Sequence, residues 1–214
     1  MTESIRRPYV PAPYRMGEDA ARAMILSEPF ALLVTQGEAG ITEATHTPLY
    51  FENGQADCGT LVGHFTRANP QAASVGSETQ ALAVFTGPSA YVSPAWYVED
   101  EDVPTWIYQS VQVRGPIELI ETEEEMMALM LNIVSQSERR IGGTWQLDRI
   151  EQRDIDRMMP RIVGFRIHIE TVVGVSKVEQ MRSAANRAAV AAKLEGGREI
   201  GRDPLRALLG VSQI

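Results

Sequence analysis

From Val163 to Glu170 the sequence alternates: Val163, Phe165, Ile167 and Ile169 are apolar, and Arg166, His168 and Glu170 fall between or beside them. Successive side chains of a strand point to opposite faces, so this period of two describes a strand with one covered and one polar face. It is the clearest periodicity in the chain, and it calls for a sheet. Other strand-length segments agree with it. Phe30 to Thr35 and Ile41 to Phe51, joined by a turn at 37–40, read as a hairpin. Cys58 to Thr66 reads as a third strand, with Leu61 and Phe65 on one face and His64 and Thr66 on the other. Ala81 to Thr86 is a fourth, ended by Gly87-Pro88. Ser89 to Trp106 reads as irregular and includes the acidic run 99–102. Ile107 to Ile120 alternates again, with Ile107, Val111 and Val113 as core positions and a bulge or edge at Gly115-Pro116.

Helical spacing appears between these segments. The first 16 residues form an extended arm, and a short helix follows over 17–28. Arg67 to Val75 reads as a short helix with Pro70 in its first turn. Thr122 and Glu125 have capping-box spacing, and Met126, Met130 and Ile133 make an apolar stripe behind them. Ile155, Met158, Met159 and Ile162 suggest another short helix before the strand at 163. Ser183 to Leu194 is alanine-rich and helical, and a tail helix is expected near 205–209. Six or seven strands with helices inserted among them predict a mainly β, α+β fold built on a small antiparallel barrel. The expected organisation is an N-terminal arm (1–16), a barrel domain (17–178) and a C-terminal helical extension packed on the barrel (179–214).

Composition narrows the function. A chain of 214 residues with 44% hydrophobic and 22% charged residues is long enough for one folded domain. It has no apolar run of the ~18 residues that a membrane helix needs. Residues 1–16 carry arginines but no apolar stretch after them, so no signal peptide is expected. A single cysteine, Cys58, makes no intrachain disulfide, and a reducing cytoplasm is the expected compartment. A net charge of −8 argues against direct DNA binding, which rests on neutralising phosphates. His46, His64 and His168 are isolated from one another and from any H-E-x-x-H pair, so no metal site is expected. G-x-S-x-G and the glycine-rich phosphate loops are missing too, and no catalytic residue is assigned.

Three stretches carry candidate chemistry. GHFTRANPQ at 63–71 brings a hydroxyl and a guanidinium to the end of a strand, which reads as an anion site or as a surface arginine beside an Asn-Pro turn. Tyr91, Trp96, Tyr97, Trp106 and Tyr108 cluster in the second, a surface for stacking on a flat ligand or for packing in a loop or interface. The third, KVEQMRSAANR at 177–187, supplies Lys177, Arg182 and Arg187, either as cations for a phosphate or as a solvated basic helix entrance.

Taken in order, GHFTRANPQ, FTGPSAYVSPAWY, VPTWIY and KVEQMR, with YVPAPY at 9–14 and ATHTPL at 44–49, resemble the FMN-binding negative transcriptional regulators, the PaiB-like proteins. The resemblance runs from about Tyr9 to about Val190. It implies a split β-barrel of the FMN-binding type and a homodimer with FMN in a groove between subunits. By analogy Thr66 and Arg67 would hold the phosphate, Ser93, Trp96, Thr105 and Trp106 would lie near the flavin ring or close the pocket, Lys177, Gln180 and Arg182 would complete the site, and His64 and Asn69 are counted with the cofactor-binding residues. The chain departs from the family's wording where Ile107 stands for Asn in VPTWNY, where Glu179 and Met181 stand for Ser and Asn in KLSQNR, and where Ala72 replaces an aromatic. Three functions follow from the resemblance: a flavin-dependent regulatory or redox protein, an FMN-dependent oxidoreductase acting on a small molecule, or a degenerate member that no longer binds FMN.

Overall fold

A computed structural model of the chain describes residues 8–37, 40–54, 59–99 and 103–196. Cys58, most of the acidic run and the expected tail helix lie outside the described residues. Nine strands are present among those described: β1 (Arg15–Met16), β2 (Phe30–Gln36), β3 (Thr42–Pro48), β4 (Tyr50–Phe51), β5 (Thr60–Thr66), β6 (Gln80–Val92), β7 (Thr105–Leu119), β8 (Ile162–His168) and β9 (Thr171–Lys177). Five α-helices accompany them: α1 (Glu18–Ser27), α2 (Pro70–Ala73), α3 (Glu123–Ile141), α4 (Gln152–Met158) and α5 (Ala184–Gly196). The strand order is β3-β2-β6-β7-β8-β5-β4, with β9 paired to both β1 and β7. The ladders β2–β3, β2–β6, β4–β5, β5–β8, β7–β8 and β1–β9 are antiparallel. The fold is α+β, a split β-barrel of the FMN-binding type.

The chain divides into two compact units. One takes its described residues from within Met1–Ala20, Thr86–Val111 and Val173–Ile214, the other from Ala21–Phe85 and Gln112–Val172. The second holds the larger aromatic core, where Phe51, Phe65, Phe85 and Phe165 are fully buried. Phe65 and Phe165 meet with ring centroids 4.5 Å apart. They come from the ladder in which β5 and β8 pair from Thr60↔His168 to Thr66↔Ile162. Burying one such side chain stabilises the fold by about 1.5–3 kcal/mol.

The outer face of this ladder is covered by α3. Its Thr122 hydroxyl accepts the Glu125 N–H at 3.2 Å, the expected cap, and Gly142 closes its C-terminus at φ +68°. Met126, Leu129 and Ile133 are its buried stripe, packed with Tyr50, Val62 and Ile120. Leu129 therefore holds the place expected of Met130, because the contact face is set by the sheet it meets. The close approach falls on Gly164 of β8, where a Cβ would stand 2.5 Å from Leu129 Cδ2 and 2.6 Å from Met126 Sδ. Within the ladder, opposite Val62, Arg166 donates to Glu52 at 2.8 Å and to Glu125 at 3.0 Å. The Thr122 hydroxyl, and then Arg166, hold the Glu125 carboxyl below its ordinary pKa.

Gln71, at 1% exposure, binds β2 to β3: its Nε2 donates to Thr35 Oγ1 at 3.0 Å, to Leu33 O at 3.3 Å and to Glu43 O at 3.4 Å. The other unit is smaller. Ala90, Val92, Ile107, Val190, Ala191 and Leu194 form its apolar cluster, with Trp96 and Tyr97 packed against it.

Several sequence expectations are corrected. The segment 41–51 is two strands, because Pro48 ends the ladder with β2 and the chain changes partner to β5. The third strand is buried on both faces at Leu61 and Val62, because α3 covers the second face. The helix expected over 67–75 is one turn, α2. Gly87-Pro88 does not end β6, which runs to Val92; the β2 ladder stops at Ala31↔Phe85, so Pro88 lies beyond the last pair and no ladder bond is lost on that side. β7 likewise starts at Thr105 and passes through Gly115-Pro116 without a break. Gly115 is required there, since a Cβ would fall 1.7 Å from the His168 carbonyl oxygen. β1 lies inside the expected extended arm, and β9, half-buried with Gly174 at its centre, has no period of two to reveal it. The core positions Ile107, Val111 and Val113 are fully buried as expected.

Gly164→Val places a branched side chain against Leu129 and Met126, and it should lower unfolding free energy by about 1–3 kcal/mol, the usual cost of overpacking. Urea denaturation of the variant and the parent chain measures it.

Candidate functional site

In the larger unit the candidates gather where β5 ends. Its ladder with β8 stops at Thr66↔Ile162, and the next residue turns back on the start of β8. Arg67 N–H donates to Arg161 O at 2.7 Å. The Arg67 guanidinium donates through Nε to Pro160 O at 2.8 Å and through Nη2 to Ile162 O at 2.9 Å. Two backbone carbonyls thus fix an exposed guanidinium in one orientation. A guanidinium has five N–H donors, so the fork keeps capacity for an anion. Thr66 is exposed beside it, its hydroxyl 3.4 Å from Arg161 O. Asn69 is engaged elsewhere: its Oδ1 caps α2 by accepting the Gln71 N–H at 3.0 Å, and its Nδ2 donates to Thr45 Oγ1 at 2.8 Å. Thr45, from the ATHTPL stretch, is the partner that sequence spacing does not reveal.

His64 sits two residues before Thr66 and is partly buried. Its Nδ1 is a buried atom without a hydrogen-bond partner among the described residues. Burial pushes its pKa below the ordinary 6.5, because the charged imidazolium is poorly solvated there. An open groove of about 500 Å³ lies beside Arg67, lined by Met126, Met127, Ile155, Met159 and Pro160 among others.

In the smaller unit Ser93 heads a single 3₁₀ turn, Pro94–Trp96, and its hydroxyl accepts the Ala95 N–H at 3.3 Å. Trp96 is partly buried against the apolar cluster. Trp106 is 54% exposed and meets Tyr91 edge-on, with centroids 6.2 Å apart. Lys177, the last residue of β9, donates through Nζ to Thr105 Oγ1 and lies 5.8 Å from the Tyr14 ring centroid. Tyr14 belongs to the YVPAPY opening, but nothing in its spacing predicts the lysine. Gln180 folds back on its own strand end: Oε1 accepts the Val178 N–H at 2.8 Å, and Nε2 donates to Ser176 O at 2.7 Å and Pro13 O at 2.8 Å. Arg182 lies 5.0 Å from the Tyr97 ring centroid and 3.4 Å from the Glu179 carboxylate.

The unusual positions separate clearly in this geometry. Ile107 is fully buried in the apolar cluster, Ala72 is buried at 5% exposure, and Met181 is 69% exposed. Glu179, by contrast, is buried at 7% and hydrogen-bonded. In the larger unit Arg67 and Thr66 present polar groups suited to an anion; in the smaller unit Lys177 presents a cation and Trp106 an exposed indole. Asn69, Gln180 and Ser93 use their polar groups to hold the backbone.

The strand order is that of a class, the FMN-binding split-barrel proteins. Residues 8–171 match the family described as "Putative FMN-binding domain". The chain is 34% identical over 156 residues to the protease synthase and sporulation protein PAI 2 of Bacillus subtilis, covering 72% of each. It belongs to this family, the PaiB-like branch of the FMN-binding split barrels. Solved structures share the fold at low identity. The conserved hypothetical protein Rv2991 of Mycobacterium tuberculosis aligns at TM-score 0.58 and 14% identity over 82% of this chain and 94% of that one. The flavocytochrome Anf3 of Azotobacter vinelandii aligns at TM-score 0.55 and 14% identity over 78% of this chain and 72% of that one. Among the described residues no helix is long and apolar enough to cross a membrane.

The His64 shift gives a pH dependence of known sign. Below pH 6.5 the unfolded chain takes up a proton that the folded chain refuses, so stability falls as pH drops from 6.5 toward the lower folded-state pKa. His64→Gln removes that contribution, and urea midpoints taken across this window should decline less steeply for the variant than for the parent.

Proposed function

We propose that the protein binds FMN as a homodimer in the cytoplasm and acts as a flavin-dependent redox or regulatory protein. The observation that carries this reading is Arg67, a guanidinium fixed by the Pro160 and Ile162 carbonyls with donors to spare at an exposed strand end. Such a fork matches a phosphate's oxygens in both geometry and charge. Thr66 adds a hydroxyl. In the smaller unit Lys177 is a cation oriented through Thr105. Trp106 offers an exposed indole face on which a flat ring can stack. The donor chemistry present therefore suits FMN, a phosphate tail and an aromatic ring.

When bound, FMN supplies hydride and one-electron chemistry at its isoalloxazine ring. The chain's own residues bind and orient. In the larger unit Thr66 and Arg67 engage an anion; in the smaller unit Trp106 offers a stacking face, and the apolar cluster behind Trp96 holds the turn Pro94–Trp96 in place. Regulation through the redox state, without direct DNA contact, accords with the net charge of −8.

Purified protein should show the visible bands of oxidised flavin, or acquire them on titration with FMN. Arg67→Ala should weaken FMN binding at least about tenfold, the loss expected of one charge-assisted contact of about 1.5–3 kcal/mol. Arg153→Ala, on an exposed face, should leave binding unchanged. Fluorescence quenching of free FMN reads both. Equal affinities of Arg67→Ala and the parent chain overturn the placement.

A further inference from the structure

Glu179 is the most unusual residue of the smaller unit. It follows the end of β9 closely and holds φ +60°, a left-handed conformation that a residue with a side chain adopts only when its surroundings require it. Its side chain is 6% exposed. A carboxylate so far from water needs partners. Two groups converge on its Oε2: the Tyr97 hydroxyl donates at 2.9 Å, and Arg182 Nε approaches to 3.4 Å. The backbone closes the same turn, with Arg182 N–H donating to Glu179 O at 2.9 Å. Arg182 also lies 5.0 Å from the centroid of the Tyr97 ring. Acid, phenol and guanidinium form one three-residue knot.

The knot fixes what Arg182 can do. Its Nε edge is one of the edges with which a guanidinium grips a phosphate in two-point fashion, and that edge faces the carboxylate. Its charge is balanced within the same turn. We propose that Glu179 is a positioning residue that determines how strongly this part of the site favours a phosphorylated ligand: by keeping Arg182 as its own counter-ion, it restrains that arginine from binding an anion. For the identity of the ligand this inference rests on the flavin reading above. The smaller unit then draws its affinity for the ligand more from stacking on the flavin ring and from Lys177 than from Arg182. It discriminates FMN from unphosphorylated riboflavin less sharply than its count of cations suggests.

Glu179→Gln keeps the shape and an oxygen acceptor for Tyr97 but removes the charge. FMN should bind this variant about fivefold more tightly than the parent chain, the upper end of what one partly exposed charge pair carries. Riboflavin, which has the ring without the phosphate, should bind both within about twofold, since no charged partner is altered for it. The gain should vanish in Glu179→Gln/Arg182→Gln. A gain that survives there, or an equal change for FMN and riboflavin, overturns the proposal. Inorganic phosphate gives a flavin-free measure: it should raise the thermal midpoint of Glu179→Gln more than that of the parent, and equal shifts count against the proposal. If neither protein binds FMN, the flavin reading fails and the phosphate comparison still decides the role of Glu179. Should Glu179→Gln fold poorly, Glu179→Asn, better suited to positive φ, takes its place in the same measurements.

Discussion

The ladder between β5 and β8 is the constraint on which the candidate phosphate end depends. Seven residue pairs hold the two strands in register, and the chain leaves β5 at Thr66 directly opposite Ile162. Only because Pro160, Arg161 and Ile162 are held there can their carbonyls receive the Arg67 backbone and guanidinium. The same ladder supplies Phe65 and Phe165 to the core and offers Gly164 to α3. Core packing and the orientation of the candidate cation are therefore not separable. A residue chosen to widen β8 at Gly164 acts on the strand whose first residues fix Arg67.

The smaller unit is organised differently. Its apolar cluster is modest, and polar side chains tie its loops. Asn186, buried at the start of α5, accepts the backbone N–H groups of Val98 and Glu99 at 2.9 and 3.1 Å and donates to Glu99 O at 3.2 Å. Gln180 does the same for the end of β9 and Pro13. Residues that motif reading associates with a ligand thus hold irregular backbone where no ladder can. A buried backbone donor or acceptor must be paired by something, and in loops side chains do it.

The legibility of the sequence follows the same physics. Period-two burial made β8 and the middle of β7 visible, and the capping box made α3 visible, because those signals arise from one covered face or from local hydrogen bonds. The strands of mixed burial, β1 and β9, carry no such period. Gly-Pro pairs were misleading in β6 and β7, because whether proline costs a hydrogen bond depends on which neighbour strand has already ended. At the candidate site the motifs found the residue types, and Arg67, Lys177 and Trp106 keep groups suited to a ligand. What the motifs did not contain is the partner that each side chain already has. Glu179 reads in the sequence only as a departure from the family's wording, and its Tyr97 partner lies 82 residues away.

Gln71 has a consequence for the edge of the sheet. β3 begins the strand order, so one side of it meets no further strand among the described residues. An edge of this kind is free to slide along its only neighbour, and a shift of one residue would exchange the faces of every side chain it carries. Gln71 reaches β2 through Leu33 and Thr35 and β3 through Glu43, from the one-turn helix α2 behind them. A single amide works as a ratchet pawl: it engages only when Thr35 faces Glu43, and in any other alignment it would be a buried amide without its partners.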